Sequence, residues 1–326
     1  MSTATRFSGN RVLVGFTEDQ SHHYGTDGYR GAIPIDDVAN GLFGWEPVLG
    51  AVSTDLITMD GVTRITDPSR VAVVRPDTQK ILGVFRDGYR PHSYKEWLVT
   101  NVANLLQDGD LEIGGAGLIK GGAVAWVQVR APETAFVAGV EYASHVTAIT
   151  SLDGSLATTY QTGNIALICQ NQLGLALRTA VERVKIKHTR NSIGRVEDVQ
   201  MALGLVTATR DAFAEEVERL TAEHVSPRQW EKFLDKYVPI AEDAKARART
   251  MGERKRDELE MLYTHDERVA PWSGTAYGVL TAVNTWAHHI QGVRGETRED
   301  RNALRTVTGE WEKVDTRTLE VLASVM

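Results

Sequence analysis

The chain has a single cysteine, Cys169, in 326 residues. That excludes an internal disulfide and a cysteine-rich zinc site. It has no run of about 18 apolar residues, which argues against a transmembrane helix. Its opening residues, Met1-Ser-Thr-Ala-Thr-Arg6, lack the apolar stretch of a secretory signal, so a cytoplasmic protein is the expectation. Internal repeats and low-complexity linkers are also missing. The pairs His22-His23 and His288-His289 lack the i, i+4 spacing of helical zinc sites, so no metal centre is expected. Gly114-Gly-Ala-Gly117 and Gly121-Gly122 are not followed by Lys-Ser/Thr or by a helix pattern, so they read as hairpin turns rather than a phosphate loop. The acid pairs Asp36-Asp37, Glu215-Glu216 and Asp257-Glu258 read as solvated helix faces. No catalytic motif stands out, and neither a cofactor nor an enzyme is expected.

Charge is present in quantity but unevenly placed. The net charge is −7. Yet Arg178, Arg183, Lys185, Lys187, Arg190 and Arg195 face one nearby anion, Glu182. Lys245, Arg247, Arg249, Arg254, Lys255 and Arg256 likewise face only Glu253. Such asymmetry steers an anionic ligand to one face of a soluble protein. Both runs also have a plain reading, as solvated helix surfaces balanced by acidic neighbours.

Patterning predicts an α+β fold: a mainly antiparallel meander sheet with a crossing helix, followed by a helical C-terminal half. Residues 1–44 form an arm with a strand at Arg11–Phe16 and a short helix opened by Pro34, whose Ile35, Val38, Ala39 and Leu42 share a face. Residues 45–192 hold the sheet. Val71–Arg75 and Ile81–Phe85 are β-branched runs. Ser93 caps a helix with Glu96 three residues on, and Trp97, Leu98, Val102 and Leu105 form its stripe. Glu112–Leu118 with Ala123–Arg130 makes one hairpin. Tyr142–Thr150 with Leu156–Ile168 makes another about Asp153-Gly154. From Asn171, a candidate N-cap, a helix is predicted with Leu173, Leu177, Ala180, Val181 and Val184 on one face. Residues 193–326 follow as helices over 193–223, from Ser226-Pro227 to Pro239, over Ala241–Tyr263, over Thr275–Gln291 after an opening at Pro271 or Ser273, and over Arg301–Thr308 and Thr316–Val325.

Four groups of residues carry a family resemblance. They are Pro34-Ile-Asp-Asp-Val with Leu42-Phe-Gly-Trp-Glu-Pro47, and Leu82-Gly-Val-Phe-Arg-Asp-Gly-Tyr-Arg-Pro-His-Ser-Tyr-Lys-Glu96. The third runs from Ala116-Gly-Leu-Ile-Lys-Gly-Gly-Ala-Val-Ala-Trp126 to Ser151-Leu-Asp-Gly-Ser155 and Cys169-Gln-Asn-Gln-Leu173. The fourth is Lys187-His-Thr189 with Gly274-Thr-Ala-Tyr-Gly278 downstream. In this order they make the chain resemble the family known as domain of unknown function 932. Leu152 and Gln172 stand where that family usually has His and Thr, so no role resting on those side chains carries over. The resemblance implies a phage or plasmid origin, hence a host cytoplasm, and implies no reaction.

The basic run supplies the functional candidates. Arg178, Arg183, Lys185, Lys187, His188, Arg190 and Arg195 would track phosphates, with Trp126 and Tyr160, expected on adjacent strands, as stacking platforms. The same two aromatics also read as core. Cys169 reads as a small core residue rather than a nucleophile paired with His188. Asn164, Gln170 and Asn171 sit where a helix N-terminus would attract an anion. The leading expectation is a phage-type nucleic-acid-binding protein, a single-stranded DNA annealing or recombination accessory factor assembling as a homo-oligomeric ring or filament. The alternative is a non-enzymatic scaffold or host-takeover factor of phage or plasmid origin, binding a phage or host protein through Ala241–Tyr263. An enzyme built on His188, Asp153 and Asn171 ranks third.

Overall fold

The structure is a computed structural model that describes residues 11–16, 28–98, 102–103, 106, 111–130, 134–166, 171–173, 184–186, 210–294 and 298–326. The chain is α+β, with antiparallel sheets in its first half and mostly helices after them. It divides into two units, each assembled from three stretches of sequence. The first takes Met1–Pro132, Val146–Gln161 and Arg183–Gly204. The second takes Glu133–His145, Thr162–Glu182 and Leu205–Met326.

In the first unit β1 (Arg11–Phe16) lies parallel to β2 (Gly28–Arg30) and antiparallel to β6 (Glu112–Ile119). Helix α1 (Ile35–Gly41) starts after Pro34, whose fixed φ suits a helix entry, and buries Val38 and Ala39. Strands β3 (Val48–Thr58), β4 (Gly61–Arg75) and β5 (Lys80–Arg86) form a separate antiparallel sheet. Helix α2 (Tyr94–Trp97) is capped as expected: the Glu96 amide donates to Ser93 Oγ at 3.0 Å. Trp97, Leu98 and Val102 are buried, while Leu105 lies outside the described residues. Tyr94 packs edge-on against Trp45 and donates its hydroxyl to the carbonyls of Gly122 and Ala123 at 3.0 and 2.8 Å.

The larger sheet runs β11-β10-β9-β7-β6-β1-β2, with β8 (Ala135–Val137) on β9 and β12 (Val184–Ile186) on β10. Here β7 is Val124–Arg130, β9 Val140–Ser151, β10 Thr158–Ala166 and β11 Asn171–Leu173. The path from β6 to β11 is the expected meander, and both expected hairpins form. One glycine reading needs correction. Gly114, Gly115 and Gly117 lie inside β6, not in a turn. Gly117 faces Trp126, and a Cβ there would sit 2.7 Å from the indole nitrogen, so the missing side chain makes room for the ring. The turn is Lys120-Gly-Gly122, with positive φ at all three residues.

The helix expected from Asn171 also needs correction. Asn171–Leu173 pairs antiparallel with Asn164–Ala166, and Val184–Ile186 pairs with Thr158–Tyr160. Asn171 is therefore a strand residue and not a helix cap. Val184-Lys-Ile186 places two β-branched residues at a spacing of two, which is strand chemistry. The helical spacing of Leu173, Leu177 and Val184 hid that short signal. Residues 174–183 and 187–209 lie outside the described residues.

In the second unit residues 210–222 are helical (α3). Helix α4 (Pro227–Tyr237) opens with a full capping box between Ser226 and Gln229 and with Pro227 at its first position. Helices α5 (Ala246–His265), α6 (Ala276–Thr285), α7 (Arg298–Thr308) and α8 (Glu310–Ala323) follow. The cap of α6 is Thr275, whose Oγ1 accepts from the Gly278 amide at 3.1 Å, rather than Pro271 or Ser273. α8 starts ahead of the expected Thr316. Phe213, Val217, Trp230, Phe233, Leu259, Tyr277, Leu280 and Leu322 anchor the core of this unit. No described helix is long and apolar enough to cross a membrane.

Candidate functional site

Three turns of the first unit meet, and their residues come from the stretches that carry the family resemblance. The first is the β4–β5 turn from Arg75 to Lys80, the second is Lys120–Gly122, and the third is the β9–β10 turn about Asp153. Lys80 donates its ammonium to the carbonyl of Lys120 at 3.2 Å. Lys120 in turn reaches Ser155 Oγ at 3.2 Å and lies 3.6 Å from Asp153 Oδ2. Arg75 holds Asp77 through two bonds of 2.8 and 2.9 Å, donates to the carbonyl of Gly121, and stacks its guanidinium over Trp45 at 4.8 Å. Three cations thus crowd one junction although they lie far apart in sequence.

Asp153 organises the third turn. The Ser155 amide donates to its Oδ1 at 2.8 Å, the local bond that makes Asp-Gly a turn. Burial alone would raise this carboxyl. The Ser155 bonds and the Lys120 charge outweigh burial and hold it below the ordinary carboxylate range. Its lone pairs are therefore committed to holding the turn, which does not suit a general base. Ser151 closes the other side, donating Oγ to the Leu156 carbonyl at 2.8 Å and accepting from the Leu156 amide at 3.1 Å.

An aromatic pair lies against this turn. Phe85 and Tyr89 stack with centroids 3.9 Å apart and planes 7° from parallel. Both are half-buried. Gly83 and Gly154 clear the space, since a Cβ at either would come within 2.9 Å of the Phe85 ring. Burial, with the Asp153 charge behind it, raises the Tyr89 hydroxyl above its ordinary value and keeps it neutral. His92 Nε2 contacts Thr150 Oγ1 at 3.4 Å, which bonds Thr158 at 3.0 Å. Strand β12 pairs with the first residues of β10, placing Lys185 opposite Thr159, shortly after the Asp153 turn.

The residues expected from sequence fare unequally. Arg178, Arg183, Lys187, His188, Arg190 and Arg195 lie outside the described residues, as do Cys169 and Gln170. Trp126 is 8% exposed and Tyr160 3%. Their strands are not adjacent, because β9 runs between β7 and β10. Both rings are core residues, and burial leaves them no surface for stacking. Asn164 is buried and accepts from Ser144 Oγ at 2.6 Å, a structural bond. Of the proposed enzyme trio, Asp153 holds its turn and Asn171 sits on a strand. Sequence reasoning passed over Lys80, Lys120, Phe85 and Tyr89. Three of these four lie inside the stretches quoted for the resemblance, which was the available signal.

The second basic run is absorbed by local packing. Arg254 pairs with Glu258 at 2.8 Å, and Arg256 with Asp235 at 2.7 Å and with the Val238 carbonyl. Lys255 sits over the rings of Trp286 and Tyr237, at 4.1 and 5.0 Å. Burial, with Arg317 adding to it, lowers its ammonium to about 8. The histidine pair divides as its helical position requires: His288 is buried against Trp311, and His289 is not. Among the described residues no group of His, Cys, Asp and Glu is placed to hold a metal ion.

The family model described as domain of unknown function (DUF932) matches residues 81–308. No curated protein and no solved structure matches the chain.

Proposed function

We propose, for a chain that belongs to the domain of unknown function 932 family, a role in binding single-stranded nucleic acid, as a phage-type annealing or recombination accessory protein working as a homo-oligomer. The observation that carries the reading is the junction itself. It pairs the ammonium groups of Lys80 and Lys120 with the half-exposed Phe85–Tyr89 stack. Phosphates need mobile cations and bases need an aromatic face, and non-sequence-specific single-strand binding combines the two. The basic run supports it from a second direction, because Lys185 joins the sheet just after the same turn. Arg183, Lys187 and Arg190 would continue the cationic track. Trp126 and Tyr160 have no part in it.

Fluorescence anisotropy of a labelled oligonucleotide across a salt series tests the role. Affinity falls steeply as salt rises, and falls further when Arg183, Lys185, Lys187 and Arg190 are changed together to Ala. Absence of binding at low salt, or binding indifferent to those changes, removes the reading. A protein partner on α5 is the second reading, favoured by the exposure of its first residues, Ala246 to Thr250. Capture of a partner from host lysate that survives nuclease treatment favours it over nucleic acid.

A further inference from the structure

The sheet β3-β4-β5 is three-stranded only at its base. β5 pairs with β4 from Arg70 to Arg75, whereas β3 and β4 run on together from Val52 with Asp67 to Thr58 with Gly61. The extension is a two-stranded ribbon with nearly every residue exposed. Such ribbons are marginal in water without a covering surface. Its apolar content is high: Leu56, Ile57, Met59, Val62 and Ile65 are all exposed, Ile57 at 79%. Together they expose on the order of 600 Å² of apolar residue surface. That is at the top of what a monomer ordinarily leaves uncovered, and most of the roughly 800 Å² that each partner brings to a stable interface.

The two edges of the ribbon differ. The β4 edge is guarded near its base, where the register jumps and Asp67-Pro68-Ser69 bulges out, held by Asp67 bonds to the Ser69 amide and hydroxyl. The β3 edge, Val48-Leu-Gly-Ala-Val-Ser-Thr-Asp-Leu-Ile-Thr58, contains no Lys, no Pro and no bulge of its own. Among the described residues no strand pairs with its outer side. The ribbon also carries Asp55, Asp60 and Asp67 against Arg64 and Arg70, and Arg64 is tied to Asp55 at 2.9 Å. An arm with a slight excess of anions is unsuited to phosphates and well suited to protein.

We propose that the β3 edge is a dimerisation strand that pairs antiparallel, about a two-fold axis, with β3 of a second copy of this chain. Full-length pairing centres on Ser53. It sets Leu49 opposite the second copy's Ile57, and the reverse, so two apolar contacts form from residues now exposed at 40% and 79%. Asp55 then faces Ala51, and no like charges meet. Each arm tip lies beside the other copy's base, where Val48, Ile81 and Val84 are also exposed. A self-complementary edge of this kind closes as a two-fold dimer. The contact shares no residue with the turn junction, so it stands or falls apart from nucleic-acid binding.

The experiment is sedimentation equilibrium of the full chain over a concentration series, without nucleic acid. The expected result is a dimer whose dissociation constant rises about tenfold or more in Ile57→Lys, as for loss of a central apolar contact. Leu49→Lys combined with Ile57→Asp puts opposite charges across the interface in this register and restores the dimer. Circular dichroism confirms that the variants fold, since both positions are exposed. A wild-type chain that stays monomeric at tens of micromolar overturns the proposal. So does a dimer indifferent to Ile57→Lys, or a double variant weaker than either single one.

Discussion

Lys120 Nζ lies 3.6 Å from Asp153 Oδ2, joining two turns that are distant in sequence. Lys120 itself has a φ of 55°, a left-handed conformation that a lysine adopts only when its surroundings hold it there. The pair therefore positions the Lys120 ammonium more than it stabilises the fold. Asp153→Asn keeps an acceptor for the Ser155 amide and removes the charge. A partly exposed pair of this kind contributes about 1 kcal/mol or less. The native carboxyl sits below its ordinary value, so its contribution is complete above the unfolded pKa of about 3.9 and is lost as pH falls through the lower folded value. Urea midpoints should show Asp153→Asn slightly weaker than wild type at pH 7, with the gap closing near pH 3. An unchanged gap at low pH would contradict the linkage.

Tyr89→Ala separates stacking from charge. Loss of one base-stacking platform costs about 1–3 kcal/mol of single-strand affinity. Phosphate neutralisation is untouched, so the salt slope should stay the same. Lys80→Ala with Lys120→Ala should do the reverse, weakening binding and lowering the magnitude of the slope by about two, one unit for each lost phosphate contact. Anisotropy titrations at several salt concentrations read both quantities. A Tyr89→Ala variant that binds as tightly as wild type would remove the stack from the interface.

Signals confined to a few residues were legible in the sequence. Arg11–Phe16, the Ser93 cap, the Ser226-Pro227 helix start and the Asp153-Gly154 turn each depend on local backbone chemistry, and each appears in the structure. Asn171 was misread because a three-residue strand gives too little alternation to compete with apolar residues at helical spacing. The meeting of Lys80, Lys120 and Asp153 was not legible at all. It depends on which turns the sheet order brings together, and no local pattern encodes that. The long β3–β4 arm was hidden for a related reason: its apolar residues look like core until the sheet that might have covered them proves absent at that point.

Gly117 tests the packing of β6 on β7. Its hydrogen lies under the Trp126 indole, and a methyl group there would approach the ring nitrogen to 2.7 Å. The ring is buried and cannot swing outward without opening the sheet. Gly117→Ala should therefore cost about 1–3 kcal/mol by overpacking, despite the usual gain when Ala replaces Gly. Thermal melts followed by tryptophan fluorescence would check it. A melting temperature equal to or above wild type would mean that the indole has room to move.

His288 provides the sharpest pH test of the second unit. Its ring stacks on Trp311 with centroids 3.6 Å apart, and its Nδ1 lies 2.9 Å from the carbonyl of Asn284, which accepts the ring N–H. Burial lowers its pKa to about 3. His289, Arg301 and Arg305 push the same way, and the Asn284 carbonyl opposes them only in part. The unfolded chain regains a pKa near 6.5, so below that pH the unfolded state binds a proton that the folded state refuses. Stability is full above about pH 6.5 and is lost as pH falls toward 3, at about 1.4 kcal/mol per pH unit. Between pH 6.5 and 4 the loss from this one ring is roughly 3 kcal/mol. His288→Phe keeps an aromatic ring against Trp311 and removes the proton site. Its urea midpoint should vary much less between pH 6.5 and 4 than that of wild type, whatever its absolute value at pH 7. Parallel pH profiles for the two proteins would show that His288 is reached by protons in the folded state, and that the burial argument fails.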